Sequence, residues 1–211
     1  MTTDPADAGR RRHVVLAGHA GDVATVLAHL DDPAGAVRTA AIGACARIAG
    51  DPTSDLHATY VDALTRAVAD PDPAVRRRAV ELAGATTAPP LLAALADRDP
   101  TVVEMAAWAL GERPLDAVSA DERAALVALC TGHTDPLVRE AAAASIGALE
   151  LEDGRAAVLA ALHDVAAVRR RAVLALAPFE GDDIRTALET ALGDRDWQVR
   201  QAAEDLLAFE D

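Results

Sequence analysis

The residues of this 211-residue chain best suited to metal chemistry are its six histidines. Two of them stand near an aspartate, as His133-x-Asp135 and His163-Asp164. Imidazole nitrogens and carboxylate oxygens can together hold zinc or iron, but such sites need several ligands at defined spacing. The sequence contains no His-Glu-x-x-His, no Cys-x-x-Cys and no glycine-rich phosphate loop. We therefore predict no metal ion and no cofactor.

Paired carboxylates are the second candidate for chemistry, because two acidic side chains can share acid–base work. Three Asp-x-Asp pairs occur, at Asp70/Asp72, Asp97/Asp99 and Asp194/Asp196. A catalytic pair is usually unique, whereas these pairs recur at one position of a repeated motif, which favours helix capping. Cys45 and Cys130 stand alone and are predicted to be small buried thiols. The pattern predicts that the chain is not an enzyme.

The repeated motif is Asp-Pro-x-Val-Arg, found at residues 72–76 and 135–139. Weaker copies lie at 99–103 and 196–200, and copies with altered spacing at 32–38 and 164–169. Aspartate caps a helix, proline suits its first position, and the valine begins an apolar stripe at helical spacing. An amphipathic segment precedes each copy. Each repeat is therefore predicted to be two helices joined by a capped turn.

The valines of the motif recur about every 32 residues, a period typical of helix-pair solenoids. Apolar residues make up 51% of the chain but aromatic residues only 2%, which indicates a core of small aliphatic side chains between closely packed helices. The sequence thus predicts an all-α fold, an α-solenoid of about six helix pairs. The predicted boundaries are a disordered arm over 1–12 and a single solenoid over 13–211, with repeats over 13–50, 51–85, 86–114, 115–150, 151–178 and 179–211.

The best copies of the motif, over 72–84, 99–111 and 135–147, end in glycine and resemble the HEAT repeat. They are most similar to the short HEAT-like repeats of phycobilin lyases and deoxyhypusine hydroxylases. The resemblance implies that the second helix of each pair lines a concave face. It also implies a ladder of ion pairs between neighbouring repeats, made by Asp72, Arg38, Arg76, Arg139, Arg169 and Arg200. The third and shortest repeat has Val103 instead of arginine, so we expect the ladder to break there.

Two enzyme classes built on this repeat do not fit the sequence. Hydroxylases of the resembling family hold iron with His-Glu dipeptides, and no histidine here precedes a glutamate. HEAT-like DNA glycosylases are basic and use aromatic residues, whereas this chain has a net charge of −14 and few aromatic residues. Arginine runs at 76–78 and 169–171 could hold phosphates, but the first arginine of each run belongs to the predicted ladder. Nucleic-acid binding is therefore the weakest alternative.

The second helices offer the predicted partner surface, at positions that avoid the apolar stripe. Residue types vary there, as in a recognition surface with aromatic anchors among charges. The candidate protein-binding residues are Arg77, Glu104, Trp108, Glu140, Arg170 and Leu174. A half-buried core position is the alternative for Trp108.

These observations predict a non-catalytic scaffold that binds a protein partner on its second-helix face. The acidic charge suits a basic partner. The alternative function is an accessory role in modifying a client protein, which the resemblance to bilin lyases implies. No stretch of the sequence approaches the length of an apolar membrane span. We expect a cytoplasmic monomer.

Overall fold

The computed structural model describes residues 4–86 and 89–208, and these residues form α-helices, short 3-10 turns and connecting turns without any β-strand. The helices are α1 (Pro5–Ala20), α2 (Val23–Ala28), α3 (Gly35–Ala49), α4 (His57–Ala67), α5 (Pro73–Ala83), α6 (Leu92–Leu95), α7 (Pro100–Gly111), α8 (Ala120–Gly132), α9 (Pro136–Ala148), α10 (Arg155–Ala161), α11 (Ala166–Ala175), α12 (Asp182–Ala191) and α13 (Trp197–Ala208). Contacts group the chain into two compact units, an N-terminal unit Met1–Pro90 and a C-terminal unit Leu91–Asp211. The single solenoid over 13–211 stays a prediction.

Helix α1 begins earlier than the sequence predicts. Asp4 caps it by accepting a hydrogen bond from the backbone N–H of Ala6 at 2.9 Å, and Pro5 takes the first helical position. The helix packs against α3, and Val14 enters the apolar core of the N-terminal unit. The prediction of a disordered arm over 1–12 is therefore wrong for residues 5–12, because the Asp4 cap begins a helix there that continues into the buried residues Val14 and Ala17.

The N-terminus carries a copy of the repeat motif that the valine anchor does not reveal. Residues 4–10 read Asp-Pro-Ala-Asp-Ala-Gly-Arg, and residues 32–38 read Asp-Pro-Ala-Gly-Ala-Val-Arg. Arg10 donates to both carboxylate oxygens of Asp32, from Nε at 2.9 Å and from Nη2 at 3.2 Å. Helix α1 thus corresponds to the second helix of a repeat, with Gly9 in place of the valine.

Helix α3 lies at the centre of the N-terminal unit, packed against α1, α2, α4 and α5. Its buried face includes Val37, Ala41 and Cys45, spaced four residues apart, so one stripe of the helix is removed from water. Burial raises the pKa of the Cys45 thiol above its usual value. This cysteine is a buried thiol, as predicted.

The C-terminal unit alternates first and second helices as the motif predicts. Its second helices pack each against the next, α7 against α9, α9 against α11 and α11 against α13. Asp99 and Asp135 cap α7 and α9, each accepting a backbone N–H two residues later at 2.9 Å. The first helix α6 has only four residues, which explains why this repeat is the shortest. Cys130 on α8 is buried, and burial raises the pKa of its thiol to about 11.

Buried Glu122 holds the beginning of α6 in place. Its carboxylate accepts the backbone N–H of Leu91 at 2.6 Å, and also the N–H of Ser119 at 2.9 Å. Burial raises the pKa of Glu122, but these hydrogen bonds outweigh it and leave the pKa below its usual value. The four-residue helix α6 is therefore held against α8 by the carboxylate of Glu122.

Small residues set the close approach of the second helices. A Cβ atom added to Gly111 on α7 would lie 2.7 Å from Oγ and 3.1 Å from Cα of Ser145 on α9. A Cβ atom at Gly147 on α9 would lie 2.8 Å from Cα of Ala175 on α11. The Ser145 hydroxyl donates to the Ala107 carbonyl at 2.7 Å, which links α7 and α9 directly. The glycine at the end of the motif therefore permits the helix contact.

Ion pairs join neighbouring repeats at several of the predicted arginines. Arg38 of the N-terminal unit donates to both carboxylate oxygens of Asp70, each at 2.7 Å. In the C-terminal unit Arg139 binds Asp164 in the same way, at 2.6 and 2.7 Å, and Arg169 binds Asp194 through two bonds of 2.8 Å. The hydrogen bonds from arginine are the main cause that lowers the pKa of Asp164 and Asp194.

Asp72, predicted as a ladder residue, instead caps α5 by accepting the N–H of Ala74 at 2.9 Å. The aspartate two residues earlier, Asp70, is the one that pairs with arginine. Each arginine also braces its own turn: Arg76 donates to the carbonyl of Asp70 at 2.8 Å, and Arg200 to that of Asp194 at 2.7 Å. At Asp70/Asp72 and at Asp194/Asp196, the first aspartate thus accepts from the preceding repeat and the second caps the helix.

Between the third and fourth repeats, both the arginine and the aspartate of the ladder are replaced by other residues. Val103 occupies the arginine position of α7 and is 1% exposed. His133 occupies the position that corresponds to Asp70, and its Nδ1 accepts the backbone N–H of Asp135 at 3.1 Å. The imidazole therefore replaces the carboxylate within its own turn, but Val103 gives it no cation to bind. Neither residue supplies the ion pair that Arg139 and Arg169 form at the next two steps of this unit.

Candidate functional site

The candidate site is a groove of about 390 Å³ on the second helices of the C-terminal unit. Small residues of α7 and α9 leave the space, since none of their side chains extends far from the backbone: Gly111, Ala141, Ala144, Ser145 and Ala148. Longer side chains surround it, from α7 and the residue after it, from α9 and from α11: Glu104, Trp108, Glu112, Leu137, Glu140 and Arg171. We call this set of residues the second-helix groove.

Two large apolar side chains of the groove face solvent. Trp108 is 43% exposed and Leu137 is 59% exposed. More than half of the Trp108 side chain is still covered, so a half-buried position, the alternative, agrees with this exposure, while Met105, Ala106 and Ala109 supply the fully buried face of α7. That the exposed part of Trp108 contacts a partner stays a prediction. An exposed indole beside an exposed leucine leaves apolar surface that a partner could remove from water.

Carboxylates surround the indole. Glu104 and Glu112 lie four residues before and after Trp108, so all three side chains fall in one row of the helix surface. Neither glutamate forms an ion pair with another residue of the ranges 4–86 and 89–208. Glu140 of α9 meets Arg171 of α11 at 3.6 Å, a long contact between partly exposed groups. The groove thus carries three carboxylates and one guanidinium.

The structure brings together three of the six candidate residues, Glu104, Trp108 and Glu140. Arg170 does not line the groove; its Nη1 donates to Gln198 at 2.8 Å. Leu174 is exposed on α11 outside the groove, and Arg77 lies on α5 of the N-terminal unit. That all six form one partner surface stays a prediction.

Among the longer side chains of the groove, sequence reasoning missed three: Glu112, Leu137 and Arg171. The predicted partner residues stand two or six positions after a motif valine, and these three stand at other offsets. A signal for Glu112 was present, since it continues the four-residue row of Glu104 and Trp108. The presence of Leu137 and Arg171 in the groove depends on how α9 and α11 pack relative to α7. The sequence pattern of a single helix does not show this packing.

A second cavity, of about 670 Å³, lies between the first helices α10 and α12 of the same unit and includes His163, Asp183 and Asp194. Both aspartates are engaged, Asp183 with Arg155 and Asp194 with Arg169. Across the described part of the chain, no three histidine, cysteine or acidic side chains gather as a metal site would need. In the same residues, no helix has the length and apolarity to span a membrane.

The family model of HEAT repeats matches residues 61–146 and 88–177 of this chain. The chain belongs to the HEAT repeat family. No curated protein matches its sequence. The prediction of a HEAT repeat protein is therefore confirmed, with the matched residues extending across more than half of the chain.

Three solved structures that share the fold are engineered or designed proteins. One engineered protein has 22% identity and a TM-score of 0.64, over 89% of this chain and 95% of that one. A designed armadillo repeat protein, described in complex with the peptide (KR)4, has 17% identity and a TM-score of 0.64, over 88% and 98%. A second engineered protein has 18% identity and a TM-score of 0.63, over 87% and 96%. At such identity these likenesses show the fold alone, and they confirm the predicted all-α solenoid.

Proposed function

We propose that this HEAT repeat protein is a non-catalytic interaction module that binds a segment of a partner protein in the second-helix groove. Helix-pair repeats commonly serve as such scaffolds, because stacked second helices offer an extended row of side chains. The observation that carries the proposal is Trp108, an indole exposed beside Leu137, with Glu104 and Glu112 on its helix row forming no ion pair within the described residues. Tryptophan is over-represented among the residues that dominate binding energy at interfaces.

The groove has the composition of an interface rather than of a reaction centre. Its ionisable residues are glutamates and one arginine, and the hydroxyl of Ser145 donates to the Ala107 carbonyl at 2.7 Å, so no serine–histidine or cysteine–histidine pair lines it. Its size, about 390 Å³, suits a few side chains of an extended segment more than the body of a helix. The accessory role in modifying a client protein stays a prediction, and it would use the same surface.

Selection of random twelve-residue peptides on the full chain tests the proposal. We expect selected peptides whose affinity falls about tenfold or more in Trp108→Ala, since loss of a buried aromatic anchor costs about 2 kcal/mol. Trp197→Ala is the matched control, because Trp197 is also exposed (64%), in the same unit but outside the groove. Equal binding by wild type and both variants would remove the groove as the binding site. Turnover of a substrate by the purified chain alone would contradict the non-catalytic role.

A further inference from the structure

We infer that the second-helix groove takes a basic segment, with one lysine or arginine side chain of the partner lying on the face of Trp108 between the carboxylates of Glu104 and Glu112. This inference rests on the proposed function and specifies the chemistry of its partner. Aromatic faces attract cations, and the attraction is strongest for tryptophan. The arrangement offers a basic side chain both an indole face and two carboxylates in one row.

The carboxylates decide between classes of segment. Glu104 and Glu112 form no ion pair within the residues described, so they keep their charge available for a partner. An apolar side chain on Trp108 would remove water from these carboxylates without supplying a donor of its own, which costs free energy. An acidic segment, or a phosphate backbone, would be repelled by them and by the net charge of −14. A cation gains both from the indole face and from the two carboxylates on its helix row.

Arg171 is the one basic residue of the groove and lies at its α11 side. Its contact with Glu140 is 3.6 Å long, beyond the usual length of a charge-assisted hydrogen bond. Glu140 therefore retains part of its capacity to accept, and a second basic side chain of the segment could share it with Arg171. The carboxylates then number three against one guanidinium, which favours a segment with more than one basic residue.

The peptides selected on the full chain also test this inference. Each selected peptide is compared with a copy in which citrulline replaces arginine and norleucine replaces lysine. Binding is measured by fluorescence in a Trp197→Phe background, which leaves Trp108 as the remaining tryptophan of the chain. We expect the neutral copy to bind at least about tenfold more weakly. We expect Glu104→Gln to weaken the basic peptide about fivefold, and higher salt to weaken it further.

Glu189→Gln is the matched control, because Glu189 is exposed on α12 outside the groove and the substitution removes the same charge. If the position of the carboxylate matters, the Glu189→Gln variant should bind the basic peptide as tightly as wild type does. If net charge alone attracts the peptide, binding should weaken as much as in Glu104→Gln, and that result would overturn the inference. Peptides that depend on Trp108 but bind equally as neutral copies would also overturn it while leaving the proposed function intact. Absence of any Trp108-dependent peptide would refute both.

Discussion

The ladder gives the sharpest test of how the repeats hold together, through Arg169→Met compared with Arg200→Met. Both arginines donate to a carbonyl of their own turn, at 2.8 Å to Asp164 and at 2.7 Å to Asp194. Arg169 alone of the two also binds the carboxylate of Asp194 through two bonds of 2.8 Å. Methionine keeps much of the aliphatic volume, so the difference between the variants isolates the ion pair.

The magnitude follows from burial. The side chains of Arg169 and Asp194 are 7% and 15% exposed, so this pair lies closer to the buried limit, where removal of one partner costs about 3–5 kcal/mol, than to the exposed limit near zero. We expect Arg169→Met to lose about 3 kcal/mol of unfolding free energy and Arg200→Met about 1 kcal/mol. Urea denaturation of the full chain, followed by far-ultraviolet circular dichroism at neutral pH, measures both.

The same pair predicts the pH dependence. The hydrogen bond from Arg169 lowers the folded-state pKa of Asp194 below the ordinary 3.8. A carboxyl whose pKa falls on folding stabilises the protein above the unfolded-state pKa, and that stability is lost as pH falls through the folded-state pKa. The gap between Arg169→Met and Arg200→Met should therefore be full above pH 3.8 and shrink below it. Equal stability of the two variants at neutral pH, or a gap that does not change in acid, would refute the ion-pair reasoning.

Three further substitutions test other contacts. Gly111→Ala should lower the unfolding free energy by about 1–3 kcal/mol, because its Cβ would meet Ser145 at 2.7 Å; an unchanged thermal midpoint would contradict this. Arg10→Gln should expose α1 to faster amide hydrogen exchange, while unchanged protection would show that its ion pair is not needed. Val103→Arg buries an unpaired charge and should destabilise the chain strongly, whereas adding His133→Asp should recover part of the loss; a double-mutant cycle in urea with no coupling energy would disprove the missing ladder step.

The motif predicts the fold because three of its residues each determine local structure. Aspartate, proline and valine each act on the turn in which they stand, so capping and the apolar stripe follow from neighbours in sequence. The copy of the motif at residues 4–10 is not recognisable by its valine, because Gly9 stands in that position. Arg10 nevertheless forms the ion pair with Asp32. A search anchored on arginine would have recovered α1.

The sequence predicts contacts between repeats less well than contacts within them. It identifies the arginines of the ladder but favours Asp72 over Asp70 as the partner, because only the folded turn shows which carboxylate faces the preceding repeat. It also finds Glu104 and Trp108 from the pattern of one helix, yet misses Leu137 on α9. The position of Leu137 in the groove depends on how closely α9 approaches α7. The spacing of apolar residues within one helix shows which residues share a face, but not how two helices pack together.

The missing ladder step and the second-helix groove involve the same pair of helices, α7 and α9. Near their C-terminal ends, contact between Gly111 and Ser145 holds the helices at close range. Near their N-terminal ends, Val103 and His133 leave no ion pair to fix the spacing of the first turns, where Glu104 borders the groove. Val103→Arg combined with His133→Asp would add that constraint and leave each groove side chain unchanged. A change in peptide affinity in that double variant would therefore come from the spacing of α7 and α9, and an unchanged affinity would make the missing step a matter of stability alone.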